Sequence, residues 1–221
     1  MSAEQWAAVD DYLAQKLVDE DHALRTARES SSDTLYPGID VTPTMGGFLA
    51  LLVQITGAVR ILEIGTLAGY SALWMARAAG PGARVITCEL EERNADIAQE
   101  NIDRAGLGEQ IQILRGPAAE TMQSLISQGA EPFDLIFIDA DKKSNPDYLD
   151  AALQLSRPGS VLVIDNTVRG GAVIDASSHD PDIIGTRRLM DRIASDSRLT
   201  ATALQTVGSK GWDGFTLLRR T

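Results

Sequence analysis

The chain has 221 residues, 44% of them hydrophobic and 23% charged, with a formal net charge of −11. That length and apolar share suit a folded domain with a sizeable core. The acidic balance argues against a nucleic-acid partner, which needs a basic stripe, and the single cysteine, Cys88, excludes an intrachain disulfide.

No apolar run reaches the roughly 18 residues of a membrane span. The opening residues, MSAEQWAAVDDYLAQ, lack the basic and apolar regions of a signal peptide. A cytoplasmic protein with no membrane partner is expected, folded as one domain over 1–221. Residues 1–44 read as an N-terminal helical extension and lid, and 45–221 as the core.

Trp6, Val9, Leu13, Leu17 and Leu24 recur at roughly helical spacing and predict an amphipathic helix or helix pair. This apolar stripe suits a second subunit, so a homodimer is expected. The polar segment Arg28–Gly38 reads as a mobile lid or linker. Thr44 is a candidate cap for a helix from Met45 to about Thr56, stopped by Gly57.

From Arg60 strands and helices alternate. Strands are predicted at Arg60–Ile64, Arg84–Cys88, Gln110–Leu114, Phe133–Ile138 and Ser160–Ile164. Helices fall between them at Tyr70–Ala79, Glu91–Ala105, Ala118 to about Ser127 and Asp147–Ser156. The last of these is closed by Pro158-Gly159. Such alternation predicts an α/β, doubly wound, mostly parallel sheet with right-handed crossovers, three layers deep. A loop over Arg169–Pro181, a helix over Asp182–Ser195 and a hairpin of Thr200–Val207 with Gly214–Arg219 complete the chain. Cys88 lies in an apolar run and reads as a buried, inert thiol.

Two strands end in polar donors. FDLIFIDADK runs apolar and then stops at Asp139, Asp141 and Lys142, and SVLVIDN ends in Asp165 and Asn166. Carboxyl ends of parallel strands are where open α/β sheets bind ligands. If these two strands are neighbours, Asp139, Asp165 and Asn166 converge as three hard oxygen donors. With no His or Cys among them, they suit Mg²⁺ or a similar divalent cation.

The turn Glu63-Ile-Gly65-Thr-Leu-Ala-Gly69 lets backbone approach a ligand at a helix N-terminus. Its GxxxG spacing is not the GxGxxG of a pyrophosphate cradle, and tight strand–helix packing explains it too. Glu89 ends the second strand 20 residues after Gly69, a place where an acid accepts hydrogen bonds from ribose hydroxyls. Together they indicate a nucleoside-containing cofactor.

In order, ILEIGTLAGYSALWMA, VITCELEE, FDLIFIDADK and VLVIDNTVRGG resemble the cation-dependent O-methyltransferases, the family of catechol and caffeoyl-coenzyme A O-methyltransferases and their small bacterial relatives. The likeness runs from about Val41 to Val173, and QTVGSKGWDGF resembles the ending of bacterial members. It implies a seven-stranded, Rossmann-like class I methyltransferase sheet with an antiparallel last strand, binding S-adenosyl-L-methionine.

Carried over residue by residue, the resemblance puts cofactor contacts at Val41, Glu63, Gly65, Thr66, Ser71, Glu89, Ala118 and Asp139. It puts metal ligands at Asp139, Asp165 and Asn166, with Mg²⁺ or another divalent ion such as Mn²⁺ or Ca²⁺. Lys142 matches the lysine that acts as general base in catechol methylation. The implied acceptor is a small phenolic molecule of the vicinal-diol type.

A nicotinamide-dependent oxidoreductase shares the glycine turn and the acid after the second strand, yet it needs no oxygen cluster. A Mg²⁺-dependent phosphotransferase lacks its lysine loop here. A non-catalytic binding module on the same scaffold has no need for Lys142 or the three metal donors.

Overall fold

The computed structural model describes residues 2–221. Its strands are β1 (Arg60–Ile64), β2 (Arg84–Glu89), β3 (Ile111–Arg115), β4 (Phe133–Ile138), β5 (Ser156–Ile164), β6 (Leu199–Gly208) and β7 (Gly211–Arg220). They form one seven-stranded sheet in the order β3-β2-β1-β4-β5-β7-β6. β7 is antiparallel to both of its neighbours, β5 and β6. The expected α/β sheet with an antiparallel C-terminal strand is what the chain forms.

The helices are α1 (Ala3–Leu17), α2 (His22–Ser30), α3 (Pro43–Thr56), α4 (Tyr70–Ala79), α5 (Glu92–Arg104), α6 (Ala118–Ser127), α7 (Asn145–Gln154) and α8 (Pro181–Ser195). Contacts divide the chain into two compact units. One is Asp10–Thr121; the other is Met122–Thr221 together with the first residues up to Val9.

In the first unit β1 pairs in parallel with β2, and β2 with β3. Ile61, Leu62, Ile64, Leu73 and Met75 are wholly buried, each contributing about 1.5–3 kcal/mol by leaving water. The cap of α3 is Thr42 rather than Thr44: its hydroxyl accepts the Met45 N–H, and Pro43 takes the first helical position. Proline's missing N–H costs nothing there. α3 and α4 touch through Gly46, where a Cβ would meet the Trp74 indole at 2.5 Å.

The stretch read as a lid or linker is partly regular. α2 runs to Ser30, a 3-10 turn covers Ser31–Asp33, and the Leu35 N–H donates to Asn94 Oδ1 at 2.9 Å. The segment before α2 is pinned by Glu20, which accepts Arg28 through both oxygens at 2.9 Å and the Tyr70 hydroxyl at 2.5 Å.

In the second unit β4 pairs in parallel with β5. β5 starts four residues earlier than expected, because a register shift after Phe133 absorbs Pro158 and Gly159 within the strand. α7 accordingly spans Asn145–Gln154 and ends before that strand. The hairpin strands are longer than predicted, and only Ser209 and Lys210 lie beyond the Gly208–Gly211 pair. Every residue of β6 is at least partly exposed, whereas Phe215, Thr216 and Leu218 of β7 are buried.

Candidate active site

The glycine turn of the first unit is built around two buried glutamates. Glu63, next to last in β1, has no exposed surface. Its two oxygens accept the hydroxyls of Ser71 and Thr87, each at 2.5 Å. Thr66 lies beside them, its hydroxyl 2.6 Å from that of Thr87. Gly65, Leu67 and Gly69 all have positive φ, 101°, 49° and 82°. Leu67 shows that the turn is constrained, since side chains other than glycine's seldom adopt that region.

Glu89 supplies the constraint. One oxygen accepts the N–H of Thr66 at 3.2 Å and of Leu67 at 2.9 Å. The other accepts the Glu91 N–H at 3.0 Å and the Asn94 amide at 3.3 Å. The expectation gave Glu89 only a ligand to hold; its carboxylate also fastens the turn after β1 to the start of α5. Four donors fill the lone pairs of a carboxylate. Ribose hydroxyls would have to share or displace them.

Val41 is buried just before the Thr42 cap. Ala118 opens α6, and the preceding Gly116 donates its N–H to the Glu89 carbonyl at 2.8 Å. Hence Glu63, Thr66, Ser71 and Glu89 form one hydrogen-bonded patch through Thr87, Gly65 donates beside it to the Cys88 carbonyl, and the turn before Ala118 joins it through backbone. Cys88, behind that patch, is buried; burial first, then the charges of Glu63 and Glu89, push its thiol up to about 12. It is the inert thiol expected.

In the second unit the ends of β4 and β5 are tied where the Asp165 N–H donates to the Ile138 carbonyl at 3.0 Å. This brings together the two polar strand ends. Lys142 is buried and donates to Asp139 Oδ1 at 2.6 Å. Asp165 accepts the N–H of Asn166 at 2.8 Å. Desolvation foremost, and then the negative charge of Asp139, push the Asp165 carboxyl well above the usual range, against the pull of Lys142. A cation bound between the two carboxyl groups would favour the ionised form of Asp165 and offset its repulsion by Asp139.

Among the described residues no group of three or more His, Cys, Asp or Glu side chains could hold a metal ion. A cation here would rest on two carboxylates and the Asn166 amide, all hard oxygen donors. That set fits Mg²⁺, which keeps several waters and takes few protein ligands. Asp141 plays another part: it accepts the hydroxyls of Ser144 and Tyr148, each at 2.5 Å, and so secures the start of α7.

Three supporting residues stand outside the candidate site residues of the sequence. Asp213, at the hairpin, accepts the N–H groups of Val168, Arg169 and Gly214 at 3.0, 2.9 and 2.9 Å. Asp182 accepts the Lys143 N–H at 3.1 Å. Gly185, inside α8, lies against Lys142 and Lys143. A glycine within a helical pattern is the one visible hint of such an approach.

Comparison with known proteins identifies the family. The O-methyltransferase family profile matches residues 14–221. A catechol O-methyltransferase of Niastella koreensis is 46% identical over 217 residues, covering 98% of each chain. The O-methyltransferase of Bacillus cereus, solved in complex with SAH, is 49% identical with a TM-score of 0.97, each chain covered in full. The O-methyltransferase TomG of Streptomyces achromogenes, solved with SAM, is 42% identical with a TM-score of 0.97, covering 100% of this chain and 99% of that one.

Proposed function

This chain belongs to the O-methyltransferase family, and from that premise we propose that it moves the methyl group of S-adenosylmethionine to one hydroxyl of a catechol-type acceptor, with a divalent cation bound. The observation that carries the cation and the acceptor is the Asp139–Lys142–Asp165 group at the joined ends of β4 and β5. Family membership sets aside the nicotinamide oxidoreductase and the binding module.

In this reading Glu63, Gly65, Thr66, Ser71, Glu89, Val41 and Ala118 hold the methyl donor. Their carboxylates and turn N–H groups suit ribose hydroxyls and an amino acid. Asp139, Asp165 and Asn166 hold the cation. A cation bound there would act as a Lewis acid on a phenol of ordinary pKa about 10 and as a template that orients a vicinal diol. Lys142 Nζ takes the acceptor's proton. Transfer then forms the O–CH₃ bond as the S–CH₃ bond breaks, the bonding pair going to sulfur. Fixing both reactants in line supplies much of the rate.

No helix of the described residues is long and apolar enough to cross a membrane, which agrees with a cytoplasmic protein. α1 contains no buried residue, and Val9, Tyr12, Leu13 and Leu17 on it are exposed. That supports a homodimer, which light scattering would show as twice the chain mass.

The test is methylation of a simple catechol by the purified chain with S-adenosylmethionine, before and after EDTA, with product mass as readout. Loss of turnover in chelator and its return with Mg²⁺ are expected. Undiminished turnover in EDTA would remove the cation from the reading.

A further inference from the structure

Arg169 stands three residues beyond Asn166, and both have left-handed backbone, φ 57° and 54°. Two non-glycine residues stay there only where surrounding structure over-determines them. The restraint comes from the hairpin. Asp213 Oδ1 accepts the N–H groups of Val168 and Arg169 at 3.0 and 2.9 Å. The six-membered ring of Trp212 fills the space that a Cβ on Gly171 would need, 2.7 Å away. The turn after β5 is thereby fastened to the β6–β7 hairpin, and the Arg169 side chain springs from fixed backbone.

Its head group is under-used. Nε is enclosed and has no hydrogen-bond partner among the described residues. Nη2 stands 3.6 Å from Asp182 Oδ2, against about 2.7–2.9 Å for a charge-assisted hydrogen bond. The side chain as a whole keeps 28% of its surface exposed. A guanidinium presents a planar fork that matches a carboxylate through two bonds. The surroundings make that fork decisive. The chain carries a net charge of −11, and Asp139, Asp165, Asp182 and Asp213 lie in the same region. An anionic acceptor is repelled from such a field unless a local cation receives it.

We propose that Arg169 selects the acceptor: its guanidinium receives a carboxylate borne by the substrate, so that catechol acids of the dihydroxybenzoate and dihydroxycinnamate kind are preferred to neutral or cationic catechols. This rests on the reading of the joined ends of β4 and β5 as the acceptor site. The hydroxyls sit at the Asp139–Asp165–Asn166 end. The acid group, across the ring or on a short chain from it, meets the turn three residues on. Asp182 is the partner that Arg169 leaves when the substrate arrives.

The experiment compares 3,4-dihydroxybenzoate with its methyl ester, and caffeate with its methyl ester, at fixed Mg²⁺ and S-adenosylmethionine. In the wild-type chain at low ionic strength the acid should exceed the ester by about 10-fold or more in kcat/KM, a preference that shrinks as salt screens the pair. Arg169→Gln should bring the acid-to-ester ratio to about one. Arg169→Lys, a point charge without a fork, should fall between. Calorimetric S-adenosylmethionine binding at one site per chain shows that each variant is folded. An ester used as well as the acid by the wild-type chain overturns the proposal, as does a ratio unchanged in Arg169→Gln. Should that variant not fold, the wild-type ratio and its salt dependence decide. Methylation of all four compounds at ratios near one leaves the catechol reading standing and Arg169 without this role; methylation of none sinks both.

Discussion

Gly185 leaves open the space that the main chain of Lys142 and Lys143 fills. A Cβ at this position in α8 would clash with the Lys142 carbonyl oxygen and come within 2.6 Å of the Lys143 Cα. Backbone on backbone cannot yield as a flexible side chain can. The 3-10 turn that carries Lys142, the proposed base, is therefore seated directly on a helix. Gly185→Ala should destabilise the protein by about 1–3 kcal/mol, the usual penalty of overpacking. It should also lower kcat more than it changes affinity for S-adenosylmethionine. A denaturant melt together with calorimetry checks both; an unshifted midpoint would mean that the turn is free to move.

A second expectation follows from coordination. In the proposed site three protein donors would leave about three positions on an octahedral ion, and a vicinal diol would fill two of them. A catechol should therefore exceed its single-hydroxyl analogue by at least ~100-fold in kcat/KM, or about 2.7 kcal/mol. Asp139→Asn and Asp165→Asn should each weaken Mn²⁺ binding, read directly by calorimetry as well as by turnover. Equal rates for diol and monophenol would refute chelation as the source of selectivity.

Glu89 should behave as two residues in one. Its carboxylate accepts four donors that bind the Thr66–Leu67 turn to the start of α5. Glu89→Ala should raise the Kd for S-adenosylmethionine by roughly 10- to 150-fold, as expected for about 1.5–3 kcal/mol lost at a charged acceptor. Because it also strands buried N–H groups, it should lower the melting temperature. Glu89→Gln, which keeps one acceptor oxygen, should restore part of each. A variant with the wild-type melting temperature would show that the turn stands without it.

Cys88 sets a stability limit at alkaline pH. Its folded thiol titrates at about 12 against an ordinary 9.0. Below pH 9 both folded and unfolded chains hold the proton, and the thiol favours neither. Between 9 and 12 only the unfolded chain loses it, so folding stability should fall by up to about 1.36 kcal/mol per pH unit. Cys88→Ala, though less stable overall, should lack this part of the slope. Denaturant midpoints from pH 8 to pH 11 compare the two. Native chain should also resist iodoacetamide at pH 8.

Most of the scaffold was legible because its signals are local. β1, α4, α6 and β4 fall on the predicted residues, each an apolar run or helical period bounded by glycine, proline or charge. What failed was set by partners distant in sequence. β5 begins at Ser156 because the Ser160 hydroxyl donates to the Phe133 carbonyl at 2.7 Å and the strand bulges to allow it. No rule about Pro158-Gly159 contains that bond. The polar stretch after α2 looked loose, but Asn94, some sixty residues on, holds Leu35. At the site, the chemistry-bearing residues stood out as charges ending apolar strands. Asp213 and Asp182 did not, and Gly185 left only the hint of a glycine within a helical pattern, because each acts on main chain 39 to 45 residues away.

β7 is later in the chain than β6 yet lies inside it, between β5 and β6. During synthesis, then, nothing made before Gly211 can close the open edge of β5, whose partner in register with Val161 is Arg219. A nascent chain stalled after β6 exposes the backbone of a strand made of Val161, Leu162, Val163 and Ile164, the kind of edge that recruits other strands. Chaperone binding to ribosome-held chains should therefore be strongest once Ile164 has emerged, and should cease when β7 slots into place.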